Sequence, residues 1–333
     1  MKLKAGIIGL GVGEAHIAGY QAHPNCEVVA LCDFSEEKLA EMRQKYPDMR
    51  LTHCADEILQ DPDIDVVSIA SYDSDHYEQM VRAIQSGKHL FVEKPLCLHG
   101  EELKHIRSLL SQQRSLKLSS NLILRMSPRF QWLKNRVTEN RLGQLYFAEG
   151  SYNYGRRHKI TDGWRGQIDF YSVVLGGGIH MIDLLLWLTG DHVVEVSACG
   201  NQMATAGSSF RYNDFVIGLL KFQSGALGKV SANFSCIFPH FHELSLYGTK
   251  GTFCNGMKNG LLFESADPHQ SPTEITEAYP GVRKGDLLYD FVEAIVKNRT
   301  PIISTEEIFR SMSIAFAIEK AAKEKKWIEV EYI

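Results

Sequence analysis

The sequence predicts a two-domain α/β protein: a doubly wound parallel sheet over residues 1–121, followed by an α+β domain with a large, open, mainly antiparallel sheet over residues 122–333. Three observations predict this fold class. Short apolar runs alternate with amphipathic segments up to about residue 120, hairpin-linked strand patterns replace them afterwards, and a chain of 333 residues is too long for one ordinary core. We expect the C-terminal helix to be able to pack back on the first domain.

The first domain consists of alternating strand-like and helix-like segments. The strand-like runs are residues 3–8, 28–31, 66–70, 90–92 and 116–119. The helix-like segments are residues 14–22, 36–46, 75–86 and 101–112, with Ser35 placed to cap the second of them. Because the runs are too apolar to face water on one side, they predict a parallel sheet covered on both faces, which is the Rossmann arrangement.

The second domain has longer strand patterns that follow one another directly. They cover residues 146–154, 193–200, 215–222, 226–234, 243–248 and 261–264, with "SG" at 224–225 and "NG" at 259–260 as hairpin turns. Helical patterns cover residues 129–140, 180–188, 287–297 and 306–325, and residues 265–283 predict an exposed loop. Consecutive hairpins with packed helices indicate an α+β domain.

The bulk composition excludes several classes of protein. A net charge of −4 argues against nucleic-acid binding, which needs clustered Lys and Arg. Seven scattered cysteines without a C-x-x-C pair indicate reduced thiols and a cytoplasmic protein. The start of the chain predicts a first strand rather than a signal peptide, and the apolar stretch "MIDLLLWL" contains Asp183, so we expect no membrane insertion.

A glycine-rich turn follows the first strand in "AGIIGLGVGEAH". Gly9, Gly11 and Gly13, with Val12 between them, would let the backbone approach a pyrophosphate at the positive end of the first helix. The third glycine of G-x-G-x-x-G would fall at Glu14, so the spacing is imperfect. Any tight strand–helix turn also recruits glycine.

Asp33 makes the dinucleotide interpretation more specific. It directly follows the second strand, 22 residues beyond Gly11, where a carboxylate accepts hydrogen bonds from the adenosine ribose. Phe34 and Ser35 come next, with no arginine to hold a 2′-phosphate, so NAD is favoured over NADP. The alternative is an aspartate that caps a helix or a turn.

Two further polar segments follow strands of the first domain. Ser71 and His76 lie between the fourth strand and its helix, where His76 either lines the cofactor cleft or belongs to the first helical turn. In "HLFVEKPL", Glu93 and Lys94 end the fifth strand and Pro95 stiffens the backbone. An ammonium there could polarise a carbonyl, with Glu93 offsetting its charge. The alternative is a surface salt bridge beside a turn proline.

The second domain contributes a histidine in "LGGGIHMIDLLLWL". His180 and Asp183 lie three residues apart on one face of a helix, and histidine ordinarily titrates near neutrality. The pair therefore predicts a general base with an orienting carboxylate. The alternative is a capping or packed core histidine.

Candidate substrate contacts are less specific. "YNYGRRHK" places Tyr154 and Arg156 after a strand, where the basic run could receive a phosphate or a nucleotide-sugar diphosphate, or could be a solvated loop. "HFH" at 240–242 supplies only two ligand-type side chains, so we predict no metal site.

Together, "GLGVGEAH", Asp33, "SYDSDH", "GKHLFVEKPL", "NLILRMSPRF", "GWRG" and "GGGIHMIDLLLWL" resemble the Gfo/Idh/MocA family of nicotinamide-dependent oxidoreductases over nearly the whole chain. The resemblance implies a Rossmann domain, a C-terminal domain that often mediates dimers or tetramers, and redox chemistry on a sugar, polyol or nucleotide-sugar. Lys94 matches the family's E-K-P lysine and His180 its catalytic histidine. Trp164 and Arg165 look like the W-R pair that reaches towards the cofactor.

Two departures from the family pattern stand out. The glycine loop is one residue shorter before the helix, so individual loop residues cannot be equated one by one. Many members carry an aspartate four residues before the histidine, and that position is Gly176 here. Asp183 or Tyr154 could supply part of the missing function, or the lysine and histidine could act alone.

The leading hypothesis is therefore an NAD(P)-dependent dehydrogenase or reductase, with NAD favoured as cofactor, acting on a secondary alcohol or ketone of a carbohydrate. In it, Lys94 and His180 carry the chemistry with Asp183, and Lys94, Tyr154, Arg156 and His180 contact the substrate. The alternatives are a catalytically silent NAD-binding regulator or scaffold and an NAD-dependent glycosidase. We expect a cytoplasmic homodimer or homotetramer that assembles through the C-terminal sheet.

Overall fold

The computed structural model describes residues 2–333 and divides the chain into two compact units. The first comprises the residues up to Ile123 together with Arg283–Phe309 and Ile333. The second comprises Leu124–Val282 and Arg310–Tyr332.

The strands within residues 2–333 are β1 Leu3–Ile8, β2 Cys26–Cys32, β3 Arg50–Thr52, β4 Val66–Ile69, β5 His89–Val92, β6 Leu118–Ser120, β7 Leu145–Asn153, β8 Val193–Asn201, β9 Phe215–Phe222, β10 Leu227–Asn233, β11 Phe241–Gly248, β12 Thr252–Asn255, β13 Gly260–Phe263, β14 Thr273–Ile275 and β15 Ile328–Glu329. The α-helices of the same part of the chain are α1 Glu14–Gln21, α2 Glu36–Lys45, α3 Asp56–Leu59, α4 His76–Gln85, α5 Gly100–Gln112, α6 Pro128–Thr138, α7 His158–Thr161, α8 Ile179–Thr189, α9 Asp286–Val296 and α10 Thr305–Glu324.

The first unit contains the parallel sheet that the sequence predicts. Its strand order is β3-β2-β1-β4-β5-β6, and the paired strands run parallel. Val66, Val67 and Ile69 of β4 are all fully buried, so helices cover both faces of the sheet. The strand order reverses between β1 and β4, and ligands of doubly wound sheets bind outside the carboxyl ends of strands at such a point.

The second unit contains a mixed sheet in the order β14-β13-β12-β11-β7-β10-β9-β8-β15. Among the described residues its neighbours pair antiparallel, apart from the parallel pair of β7 and β10. This confirms the mainly antiparallel prediction. β14 lies inside the segment 265–283, for which the sequence predicted a loop without a strand.

Helices lie close against one face of this sheet because glycines leave room for them. A Cβ atom on Gly150 of β7 would lie 2.8 Å from Met181 Cε of α8. A Cβ atom on Gly218 of β9 would lie 3.3 Å from Ile318 of α10. Within residues 2–333, no helix combines the length and the apolar composition needed to cross a bilayer.

Candidate active site

The glycine loop between β1 and α1 is shaped by contacts on two of its glycines. Gly9 has φ +85° and a Cβ there would lie 2.3 Å from the Ala70 carbonyl oxygen. A Cβ on Gly13 would lie 2.3 Å from the Gly9 oxygen, whereas a Cβ on Gly11 would meet nothing within 4 Å. Gly9 and Gly13 are therefore required by packing, and Gly11 leaves open space at the amino end of α1 where a phosphate group can approach.

Asp33 holds the loop from the end of β2. Its Oδ2 accepts a hydrogen bond from the Leu10 amide at 2.7 Å, and its Oδ1 accepts one from the Ser35 amide at 2.9 Å. Ser35 in turn caps α2, because its hydroxyl accepts from the Lys38 amide at 3.2 Å as predicted. Asp33 thus makes the turn contacts of the alternative interpretation, and its contact with a ribose stays a prediction.

His76 is the first residue of α4 and is fully buried. Its Nδ1 lies 2.7 Å from the Pro95 carbonyl oxygen and its Nε2 lies 3.2 Å from the Ser71 carbonyl oxygen. A carbonyl oxygen only accepts and a neutral imidazole carries one N–H, so the ring donates to one of these two oxygens. The ring lies between the segment after β4 and the segment after β5, next to Lys94.

Glu93 is buried at the carboxyl end of β5. Its Oε1 accepts from Asn121 Nδ2 at 2.7 Å and lies 3.4 Å from His16 Nε2. Burial alone would raise the pKa of the Glu93 carboxyl, but the charge of Lys284, the hydrogen bond from His16 and the charge of Lys94 hold that pKa well below its usual range. The carboxylate is therefore ionised. It lies close enough to Lys94 for the two charges to interact, and the Lys94–Pro95 peptide is cis.

In the second unit, the three glycines before His180 provide space for aromatic side chains. Residues Val174–Gly178 form a π-helical turn that leads directly into α8. A Cβ on Gly176 would lie 2.2 Å from the Tyr171 hydroxyl oxygen, and a Cβ on Gly177 would lie 2.5 Å from the Tyr152 ring. Larger residues would displace both rings, so the glycine run determines what surrounds His180.

His180 is only 5% exposed and lies among rings from two strands. It stacks on Tyr152 of β7, with ring centroids 5.9 Å apart and planes at 19°. His242 of β11 pairs with Tyr152 across the strands, and its ring lies 6.3 Å from that of His180. The ring centroid of His240 lies 5.1 Å from that of Tyr152 and 5.3 Å from that of Tyr154. The "HFH" motif contained both histidines, although only His242 lies in β11 and His240 comes directly before the strand.

Asp183 binds an arginine that the sequence did not connect with it. Its Oδ1 accepts from Arg125 Nη2 at 2.6 Å and its Oδ2 from Arg125 Nε at 2.9 Å. The two side chains are 1% and 3% exposed, and the Ser311 hydroxyl lies 3.4 Å from Oδ1. These contacts make a bidentate buried ion pair that holds Asp183 in place, and its role in orienting His180 stays a prediction.

The remaining predicted residues lie in the same unit. Trp164 and Arg165 form a short 3-10 turn, with the Arg165 guanidinium 4.5 Å from the Trp164 ring. The exposed Arg156 guanidinium lies 5.2 Å from the Tyr154 ring. Within residues 2–333, no group of three or more His, Cys, Asp or Glu side chains has an arrangement that could hold a metal ion.

The structure thus gathers the predicted residues into two groups. Gly9–Gly13, Asp33, Ser71, His76 and Glu93–Lys94 lie at the carboxyl edge of the parallel sheet. His180, at the start of α8, lies against Tyr152 of β7, and the ring of Tyr154, just after β7, also stacks on that of Tyr152. Sequence reasoning missed His16, Asn121, Arg125 and His242.

Comparisons with known proteins bear on both units. Residues 3–121 match the family model described as "Oxidoreductase family, NAD-binding Rossmann fold", and residues 130–254 match the "GFO/IDH/MocA C-terminal domain". Myo-inositol 2-dehydrogenase of Thermotoga maritima is 24% identical over 99% of each chain. D-glucoside 3-dehydrogenase of Escherichia coli is 25% identical over 78% of this chain and 77% of its own.

Solved structures show the same fold. A levoglucosan dehydrogenase in complex with NADH superposes with a TM-score of 0.87, at 23% identity over 100% of both chains. A scyllo-inositol dehydrogenase from Lactobacillus casei with bound NAD(H) and scyllo-inositol superposes with a TM-score of 0.81, at 21% identity over 99% of both chains.

Proposed function

The chain belongs to the Gfo/Idh/MocA oxidoreductase family, and from this premise we propose that it transfers a hydride between NAD and a secondary alcohol or ketone carbon of a cyclic sugar or polyol. The observation that carries the proposal is the buried imidazole of His180 at the start of α8, flanked by Tyr152. Relatives named for inositol, levoglucosan and glucoside oxidation support the substrate class.

The first unit fits a dinucleotide. Gly11 leaves open space beside the amino end of α1, where the backbone amides favour a pyrophosphate. The Asp33 carboxylate favours a ribose diol over a 2′-phosphate, since the two negative charges would repel each other. Ser71, His76, Glu93, Trp164 and Arg165 remain candidate cofactor contacts. When bound, NAD supplies the acceptor for the hydride of the substrate carbon.

The chemistry on the protein side is proton transfer and charge stabilisation. We assign His180 as the base that accepts the substrate hydroxyl proton during oxidation and returns it during reduction. We assign the Lys94 ammonium to stabilise the negative charge that develops on the substrate oxygen. Glu93, held ionised, places a negative charge near the Lys94 ammonium and so offsets its charge.

Single substitutions test both assignments. Lys94→Ala and His180→Ala should each lower turnover by about 10²- to 10⁴-fold, the range for loss of a positioned acid, base or charge. NAD binding, followed by calorimetry, should survive in His180→Ala. The exposed residues Lys320 and His269 provide matched controls as alanine variants. Wild-type turnover in either Lys94→Ala or His180→Ala would refute this mechanism. The substrate is identified by assaying the wild-type protein with a panel of inositols, anhydrosugars and glucosides.

Location and assembly follow the same line of inference. All seven cysteines are free thiols, which supports a cytoplasmic protein. The sheet face opposite the helices exposes Leu219 and Leu227 by 49% and 54%. These exposed leucines, set among the ion pairs Lys221–Glu195 and Lys229–Glu149 on the same face, support association of two or four copies through the C-terminal sheet.

A further inference from the structure

The proposed oxidation leaves a proton on a side chain that solvent scarcely reaches. Each turnover transfers the hydride from carbon to NAD and the hydroxyl proton to His180. His180 is only 5% exposed. Before the next turnover its N–H bond must break, and the proton must travel to bulk water.

Two histidines continue from His180 in the direction of solvent. His242 is 7% exposed and its ring centroid lies 6.3 Å from that of His180. His240 is exposed and its ring centroid lies 4.9 Å from that of His242. The 6.3 Å between His180 and His242 is too long for a direct hydrogen bond and fits one bridging water, whereas the 4.9 Å between His242 and His240 is a closer approach. The three imidazoles therefore form a series of increasing exposure.

Tyr152 holds the series together. Its ring centroid lies 5.9, 5.3 and 5.1 Å from those of His180, His242 and His240. His242 is the register partner of Tyr152, so strand pairing places these two rings beside each other. His240 lies in the bend directly before β11, and its ring reaches Tyr152 from there.

The Tyr279 hydroxyl suits His242 to both carrying and releasing a proton. The phenol oxygen lies 2.7 Å from His242 Nδ1 and accepts from the His242 amide at 2.8 Å. A phenol can donate to a neutral Nδ1 or accept from a protonated one, so this contact persists in both states of the ring. Charged groups also lie beside these rings. The Arg129 guanidinium lies 5.2 Å from the Tyr279 ring, and the Arg156 guanidinium lies 5.2 Å from the Tyr154 ring.

We propose that His242 and His240 form a proton relay between His180 and bulk solvent. The proposal rests on the proposed role of His180 as the base. One proton passes along the relay per hydride transferred, each imidazole gains one N–H bond as it loses another, and no further reactant is needed. In the direction of reduction the same groups deliver the proton to the substrate alkoxide.

The test uses His240→Gln, because His240 is exposed and its replacement does not empty the interior. Glutamine retains hydrogen bonding but does not carry a proton at neutral pH. In dilute buffer we expect kcat to fall roughly tenfold with KM and NAD affinity unchanged, and added imidazole to restore it, since a soluble base can replace the missing one. The solvent deuterium isotope effect on kcat should rise. His269→Gln, an exposed histidine outside this face, is the matched control.

The outcomes distinguish failure of the relay from failure of the proposed role of His180 as the base. Wild-type kcat of His240→Gln in dilute buffer, or a loss that imidazole does not repair, overturns the relay. A His180→Gln variant assayed beside it tests the base itself: if that variant turns over normally, the proposed function fails. If it is inactive while His240→Gln is normal, only the relay fails. His242→Gln, expected to show the same buffer dependence, adds the inner position provided that its melting temperature matches the wild type.

Discussion

Replacing Asp183 with asparagine distinguishes a structural role of this residue from the catalytic role that the sequence suggests. The carboxylate receives two hydrogen bonds from Arg125, at 2.6 and 2.9 Å, in a place where the two side chains are 1% and 3% exposed. Asparagine keeps the shape and one acceptor but leaves the guanidinium charge buried without its counter-charge. Breaking such a pair costs about 3–5 kcal/mol.

The expected loss of stability is large enough to measure directly. For a unit of this size, each kcal/mol lowers the melting temperature by about 2–4 °C, so Asp183→Asn should lower it by about 6–20 °C. Turnover of the folded variant, assayed well below its melting temperature by absorbance of the reduced cofactor, should stay within several-fold of wild type. A variant that melts like the wild type but has lost turnover by orders of magnitude would refute this reasoning and make Asp183 part of the chemistry.

Two controls isolate the ion pair. The double variant Arg125→Met, Asp183→Leu removes both charges and should recover most of the stability, because apolar replacements of buried pairs are often neutral or better. Arg141 and Glu264 form an exposed pair at 3.5 Å, so Glu264→Gln should change stability by less than about 1 kcal/mol.

Two further predictions concern Gly176, just before α8, and Glu319 of α10. Gly176→Ala should cost about 1–3 kcal/mol by overpacking against the Tyr171 hydroxyl, and Tyr171→Phe in the same chain should restore part of it in thermal melts, whereas additive losses would contradict the contact. Burial raises the pKa of Glu319, and the hydrogen bond from Ser172 opposes this shift only in part. The protonated carboxyl therefore stabilises the fold fully below pH 4.5, and this contribution is lost as the pH rises through the raised pKa of the folded state. Glu319→Gln should therefore melt at a temperature that changes less between pH 4.5 and neutrality, and parallel pH curves for the two proteins would contradict this.

The sequence predicted the strands that have a clear period and missed most of the shortest ones. β1 matches residue for residue, and β9 does as well. β3, β14 and β15 have three residues or fewer, so alternation cannot be recognised in them. Their positions are set by pairing with neighbours already in the sheet.

Long-range partners are the part of the site that local patterns do not reveal. The ring centroid of Phe291 in α9 lies 5.6 Å from that of Phe91 in β5, so α9 packs on the parallel sheet. The local sequence of an amphipathic helix does not indicate which sheet it covers. The helical spacing predicts that Asp183 orients His180, three residues away. The structure shows that Asp183 also binds Arg125, which comes 58 residues earlier in the chain. Spacing shows which residues share a helix face, but it does not show which side chain from another element carries the complementary charge.

The structure gives a packing reason for glycine at position 176. Family resemblance leads one to expect an aspartate there, and its absence is the main sequence argument for a catalytically silent protein. A side chain at 176 would begin 2.2 Å from the Tyr171 hydroxyl oxygen, so the glycine and the tyrosine are a matched pair that excludes an aspartate by volume. The space one helical turn before His180 is filled by a phenol, which can both donate and accept a hydrogen bond. The absence of a carboxylate at position 176 therefore follows from the packing of Tyr171, and it does not by itself argue for lost activity.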